Sequence, residues 1–254
     1  MDKSNESKSI KPNYWEIATR QMTIVDKDQQ NKFKNAKIAV IGCGGIGGGA
    51  IEILARMGVG ELNIIDEDDF DVSNLNRQLM SSIETLGENK AKVSKEQVKL
   101  INPHTKVNAF NEKLTEENLK IVLKDCDVII DGLDNIYTRI IVSRYAMENN
   151  IPFIHGAIHG TLGQLSVFSK DTKSYEELFA LPSFNKELNN ETKELIENLS
   201  STTPPSIGPT PNIIGFLQGF EAFKVITDLG KVTYAPKILK FDLLDLKSFD
   251  IIEL

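Results

Sequence analysis

The stretch AVIGCGGIGGGAIEILARMGVGELNIIDEDD, from Ala39 to Asp69, constrains the fold more than any other part of this chain. A β-branched apolar run, KIAVIG (37–42), leads into a glycine loop. A helical segment follows over 46–57, and a second strand reads ELNIID (61–66). Gly42, Gly44 and Gly47 stand in G-x-G-x-x-G order, with Gly45 in the same loop. Gly42 permits a tight turn off the strand, Gly44 lets a phosphate approach the backbone, and Gly47 lets helix and sheet pack closely. Asp66 ends the second strand and suits a ribose hydroxyl. Taken alone, the pattern fits a dinucleotide and a mononucleotide equally well.

Further along, strands and helices alternate. NKAKVSKEQVKLIN (89–102) carries Val93, Val98 and Ile101 at helical spacing and stops before Pro103. KVNAF (106–110) is a third strand, TEENLKIVL a capped helix, CDVIIDGLD (126–134) a fourth strand, 136–149 a helix and IPFIHGAI (151–158) a fifth strand. Such alternation implies βαβ units and right-handed crossovers, with helices on both faces of the sheet. Then the rhythm changes. TLGQLSVFS (161–169) follows a tight glycine turn and is expected to run antiparallel. Residues 170–206 form a polar connection with one helix in KELNNETKELIENL, and SSTTPPSIGPTP (200–211) is a stiff loop. NIIGFLQGFEAFKVIT (212–227) is an apolar helix, and KILKFDL and KSFDIIEL are closing strands. The expected fold is an α/β, Rossmann-like mixed sheet, parallel in its N-terminal part and antiparallel in its C-terminal strands. Residues 1–12 are polar and expected to be disordered, and 13–36 should hold one or two short helices. No shift in composition and no internal repeat divides 13–254, which is expected to be a single domain.

Composition narrows the setting. The 254 residues carry a net charge of −7, which argues against broad binding to nucleic acid or an acidic membrane. Two cysteines imply no disulfide framework. No segment approaches the length of a transmembrane helix, and MDKSNESKSIKPN has no apolar core for a signal peptide. The chain is expected to be soluble and cytoplasmic, with no nucleic acid and no membrane among its partners.

The segment after Asp66 decides between the nucleotides. DEDDFDVSNLNRQLMSS places Asn74, Arg77 and Gln78 in a polar loop, and LGENKAK adds Lys90 at a helix start. A dehydrogenase has no need of an arginine and a lysine here, since its pyrophosphate is already cradled. A triphosphate under attack does need them, because negative charge grows as pyrophosphate departs. A nicotinamide-dependent dehydrogenase is therefore the weaker reading.

With GCGGIG, IIDEDDFDVSNLNRQ, GENKAK, DGLDN and GQLSVF in order, the sequence resembles the ThiF/MoeB/HesA family of ubiquitin-activating-enzyme-like adenylyltransferases, over residues 16–254. The resemblance implies activation of the C-terminal glycine of a small ubiquitin-fold carrier protein ending in Gly-Gly. The carboxylate attacks the α-phosphate of ATP to give an acyl-adenylate and pyrophosphate, for sulfur transfer in molybdopterin, thiamine or thiolation pathways. It assigns Gly42, Gly44, Gly45 and Gly47 to the glycine loop and Asp66 to the ribose. Asn74, Arg77 and Lys90 fall to the triphosphate, with Asp68, Gln78 and Asn135 also in the ATP site. Asp134 is the carboxylate that holds Mg²⁺. Asp131 and Asp68 are nearby carboxylates, either loop caps or catalytic parts. Arg20, in EIATRQ, matches an arginine that reaches the phosphates from the neighbouring subunit, which implies a homodimer. On this reading residues 37–158 form the nucleotide-binding half and 159–254 the half for carrier and dimer contacts.

The chain departs from the family in its cysteines. Many relatives carry two C-x-x-C pairs for zinc, and Cys43 and Cys126 cannot supply a tetrahedral Cys₄ set, so no zinc is expected. Cys126 reads as a core residue. Cys43 reads as loop packing, though a helix N-terminus beside it could lower its pKa. His155 and His159 read as pocket lining or structural. The chemistry is expected to stop at the adenylate. Two rivals share the pattern: a tRNA threonylcarbamoyladenosine dehydratase, disfavoured by the acidic charge, and a non-catalytic ubiquitin-fold-binding subunit, disfavoured by retention of Arg20, Asp66, Arg77, Lys90 and Asp134 together.

Overall fold

Why the apolar runs take the places they do is clearest from the sheet they build. In the computed structural model, which describes residues 11–199 and 204–253, eight strands form one mixed sheet. These are β1 (Lys37–Ile41), β2 (Glu61–Ile65), β3 (Lys106–Phe110), β4 (Val128–Asp131), β5 (Phe153–His159), β6 (Leu162–Phe168), β7 (Lys237–Asp242) and β8 (Asp245–Glu253). Their spatial order is β3-β2-β1-β4-β5-β6-β7-β8. The first five are mutually parallel, and β5 through β8 pair antiparallel. The expected mixed α/β architecture holds.

Alternation within each strand divides the core in two. Ile38 and Val40 of β1 face one cluster, and Ala39 and Ile41 face the other. The first cluster is covered by α2 (Lys27–Asn35), α3 (Gly45–Met57), α4 (Lys90–Ile101) and α9 (Pro209–Thr227). The second lies under α5 (Leu119–Val122), α6 (Ile136–Glu148), α7 (Tyr175–Leu178) and α8 (Asn190–Glu197). Helices thus lie on both faces, as a sheet buried on both sides requires.

Local chemistry sets the boundaries. Gly58 ends α3 in a left-handed cap with φ of 88°, and Asn135 opens α6 by accepting the Thr138 amide at 2.8 Å. Four expectations shift. The apolar helix begins at Pro209 rather than 212, because proline suits the first helical turn. TEENLKIVL yields only Leu119–Val122, since its first residues are spent on a Thr115–Asn118 turn. The fourth strand is confined to Val128–Asp131, and residues 132–135 turn into α6. The polar connection also holds α7, which anchors through an Arg144–Glu176 pair at 2.7 Å. The tail expected to be disordered lies, apart from Lys11 and Pro12, outside the described residues. Before the sheet, α1 (Tyr14–Ala18) docks beneath α3. The Tyr14 hydroxyl donates to the Gly58 carbonyl at 2.7 Å, and Gln21 and Gln30 both donate to the Met57 carbonyl. The free carbonyls of the α3 C-terminus are satisfied in this way.

Candidate active site

The strand order reverses beside β1, with β2 and β3 on one side and β4 onward on the other. In open α/β sheets a crevice opens at such a switch point, outside the carboxyl ends of the strands. Register brings three strand ends to one level there, because Ile41 pairs with both Ile65 and Asp131. The next residue on each strand is Gly42, Asp66 or Gly132. All three line one cavity of ≈ 390 Å³, within the usual range for a small-molecule site.

The floor of this cavity is the glycine loop. Gly42 turns with φ of 90°, and a Cβ there would meet the Gly132 carbonyl oxygen at 2.6 Å. A Cβ on Gly47 would overlap the Gly42 carbonyl oxygen. The first turn of α3 therefore lies directly on the loop. Gly44 is its N-cap and offers no side chain to the first amides, so the positive end of the helix dipole faces the cavity.

On the β2 side, Asp66 accepts hydrogen bonds from the Cys43 amide at 2.7 Å and the Asp68 amide at 2.9 Å. Burial pushes the Asp66 carboxyl above the ordinary aspartate value, against the pull of those amides and of Lys90. Lys90 opens α4 and is buried, and its Nζ pairs with Asp68 at 2.8 Å. Asn89, which the sequence reading did not single out, ties this corner together. It caps α4 through the Lys92 amide and donates to the Asp66 and Asp68 carbonyls at 3.1 and 3.0 Å. An asparagine before an apolar-periodic run is a readable cap, but the two long-range donations are visible only in the fold.

Arg77 lines the opposite rim, its Nη1 donating to the Ser73 carbonyl at 2.7 Å and to Asn76 Oδ1 at 2.9 Å. Gln78 also lines the cavity. It is buried, and its Oε1 has no hydrogen-bond partner among the described residues. Asn74 is not in the cavity wall; its side-chain Oδ1 accepts the Asp71 amide at 3.0 Å and holds the 71–74 turn that carries Arg77. On the β4 side Asp134 and Asn135 line the cavity. Asp134 is exposed and makes no hydrogen bond or ion pair among the described residues. Asp131, by contrast, is fully buried in an ion pair with Arg139.

Arg20 is not with the others. It sits in the single turn Thr19–Gln21, where Gln21 binds the Met57 carbonyl at the far end of α3. Thirteen helical residues, ~20 Å at 1.5 Å per residue, separate that end from the glycine loop. Arg20 does not reach the cavity of its own chain.

The remaining candidates resolve simply. Cys43 is buried in the core, and burial together with Asp66 pushes its thiol well above the usual range. The expectation that the helix terminus could lower it is overturned by desolvation. Cys126 is likewise buried, its thiol pushed up to about 12 by desolvation. His155 is a buried partner of Asp131, and His159 is exposed at the end of β5.

The donor set fits a nucleotide triphosphate. An uncapped helix start, an unpartnered amide oxygen and the cations Arg77 and Lys90, with Lys113 and Arg139 beside them, border one space. Among the described residues no cluster of three or more His, Cys, Asp or Glu could hold a metal alone. Magnesium, however, is usually held by one or two carboxylates together with substrate phosphates and water. Asp134, with no protein partner, fits that role.

Comparisons place this geometry. The chain is 34% identical over 226 residues to a probable molybdopterin-synthase adenylyltransferase of Gracilaria tenuistipitata var. liui, covering 88% of this chain and 60% of that one. It is 31% identical over 239 residues to the sulfur carrier protein adenylyltransferase of Thermus thermophilus, covering 89% and 82%. It thus spans about three-fifths of the Gracilaria protein's length. The crystal structure of PaaA shares the fold with a TM-score of 0.78 at 23% identity, covering 100% of this chain and 86% of that one. The profile of the ThiF family matches residues 18–254, which takes in the glycine loop, the Asp66–Lys90 corner and the antiparallel strands alike, and this chain belongs to the ThiF family.

Proposed function

We propose that this protein uses ATP to adenylylate the C-terminal glycine of a small ubiquitin-fold carrier protein, releasing pyrophosphate. The observation that carries this reading is the convergence of the glycine loop, Asp66, Arg77, Lys90 and Asp134 on one cavity at the switch point of the sheet. On this reading the amides at the start of α3 hold the α-phosphate, and Asp66 accepts from the ribose hydroxyls. Arg77 and Lys90 take the departing pyrophosphate. Asp134 would hold Mg²⁺ together with the nucleotide, and the ion would supply further positive charge to that of Arg77 and Lys90. Asn74 acts by holding the Arg77 loop, and Asp68 by steering Lys90. The names of the relatives support a sulfur-carrier substrate over an RNA.

Residues 13–254 act on this reading as one adenylation unit, with 37–158 binding nucleotide and 159–254 receiving the carrier and a second copy of the chain. Arg20 then serves the partner's cavity in a homodimer. Among the described residues no helix is long and apolar enough to cross a membrane, and we place the protein in the cytoplasm. The test is ATP–pyrophosphate exchange. Exchange should appear only with a ubiquitin-fold protein bearing a free C-terminal glycine, and amidating that carboxylate should abolish it. Exchange driven by tRNA and by no such carrier would replace the reading with an RNA-directed one.

A further inference from the structure

The exposed carboxylate at Asp134 hangs on a turn that is braced from beneath by an ion pair no residue pattern announced. Asp131 is the last residue of β4 and is fully buried. Its Oδ2 accepts from Arg139 Nε at 2.6 Å and from His155 Nδ1 at 2.7 Å, and its Oδ1 accepts from the Leu133 amide at 3.0 Å. Arg139 also donates through Nη2 to the Leu133 carbonyl. Leu133 is thus held at both its amide and its carbonyl, and Asp134 is the next residue. On the other side of Asp134, Asn135 is fixed as the cap of α6. From the opposite face of the sheet, Gln218 of α9 donates to the Asp131 and Ile154 carbonyls at 2.8 and 3.0 Å. The chain is held on either side of Asp134, at Leu133 and at the Asn135 cap, while the Asp134 side chain is left open.

We infer that Asp131, Arg139 and His155 are positioning residues that hold the Gly132–Asn135 turn so that Asp134 meets the metal on bound ATP. The inference rests on the nucleotide reading above. A buried ion pair is a weak source of stability, because desolvating two charges consumes most of their attraction. Geometry is what this one supplies. The Arg139 guanidinium is a planar fork that bonds a carboxylate and a carbonyl at once, which a lysine ammonium does not do in fixed orientation. His155, packed against Tyr175 and Phe179, fixes the rotamer of the Asp131 carboxylate from the side. Burial lowers the His155 pKa, and because a carboxylate oxygen only accepts, Nδ1 carries the proton that faces Asp131.

The experiment is a double-mutant cycle read by calorimetric binding of ATP, with EDTA and then with magnesium. Wild type should bind ATP more tightly with the metal, and Asp134→Ala should lose that gain. Arg139→Gln should weaken the magnesium-dependent part by about 10–100-fold, the usual effect of removing a support behind a metal ligand. Its affinity for metal-free ATP should stay within about two-fold of wild type, the scatter of independent sites. The double variant should be no worse than Asp134→Ala alone. Arg139→Lys, which keeps the charge but not the fork, should behave like Arg139→Gln. Magnesium enhancement retained in Arg139→Gln would overturn the inference, as would losses that multiply in the double variant. Failure of both Arg139 variants to fold would also overturn it, by assigning the pair to the fold. A wild-type chain that bound no ATP would instead refute the nucleotide reading, a separate result.

Discussion

Arg77 and Lys90 are both already engaged. Lys90 Nζ lies 2.8 Å from Asp68, and Arg77 is turned onto the Ser73 carbonyl and Asn76. On the proposed reading a phosphate would displace these contacts, and the two cations would act most strongly where charge is greatest, on the departing pyrophosphate. Arg77→Ala, Lys90→Ala and Asp134→Ala should each slow ATP–pyrophosphate exchange by roughly 10²-fold or more, about 2.7 kcal/mol of transition-state stabilisation. Cys43→Ala should leave exchange within several-fold of wild type. The thiol is buried and held protonated by desolvation and Asp66, so it offers no nucleophile. Loss of exchange in Cys43→Ala with exchange spared in Arg77→Ala would call for a covalent cysteine mechanism.

Among the elements, the pairing of α3 with α9 determines where the glycine loop points. A Cβ on Gly215 would overlap the Ile46 carbonyl oxygen and lie 2.8 Å from the Ala50 amide nitrogen, both backbone atoms of α3. Neither atom has a rotamer to yield, so Gly215→Ala must push the helices apart. The expected cost is about 1–3 kcal/mol, read as a lower unfolding temperature. ATP affinity should fall with it, since the start of α3 moves. An Ala variant as stable as wild type would show that this contact relaxes freely. The sequence carried much of this level. Apolar runs with β-branched residues marked the strands, and the places of Gly42, Asp66 and Lys90 in the cavity wall were legible because each follows from a local pattern. The Asp131–Arg139–His155 cluster was not. Its members come from β4, α6 and β5, and nothing in their spacing reveals that one register and one helix bring them together. Asn89 was half legible, as a cap but not as a bridge to the Asp66 turn. The onset of α9 was misplaced because a proline-rich stretch read as loop when one of its prolines begins the helix.

For the whole molecule, the telling position is that of Arg20, exposed on a segment that Gln21 and Tyr14 anchor to the end of α3 remote from the cavity. In a two-fold dimer it would complete the site of the other chain. Arg20→Ala and Arg77→Ala homodimers should both be nearly inactive. Unfolding and refolding an equal mixture should restore about a quarter of wild-type exchange, because about half the dimers are mixed and each has one complete site of two. No recovery on mixing would assign Arg20 to its own chain or to no site. The same anchorage has a genetic face. A lesion at Arg20 would spare the cavity of the chain that bears it and damage its neighbour's. Two alleles, each null alone, would then complement one another within a single gene, whereas two lesions inside the cavity would not.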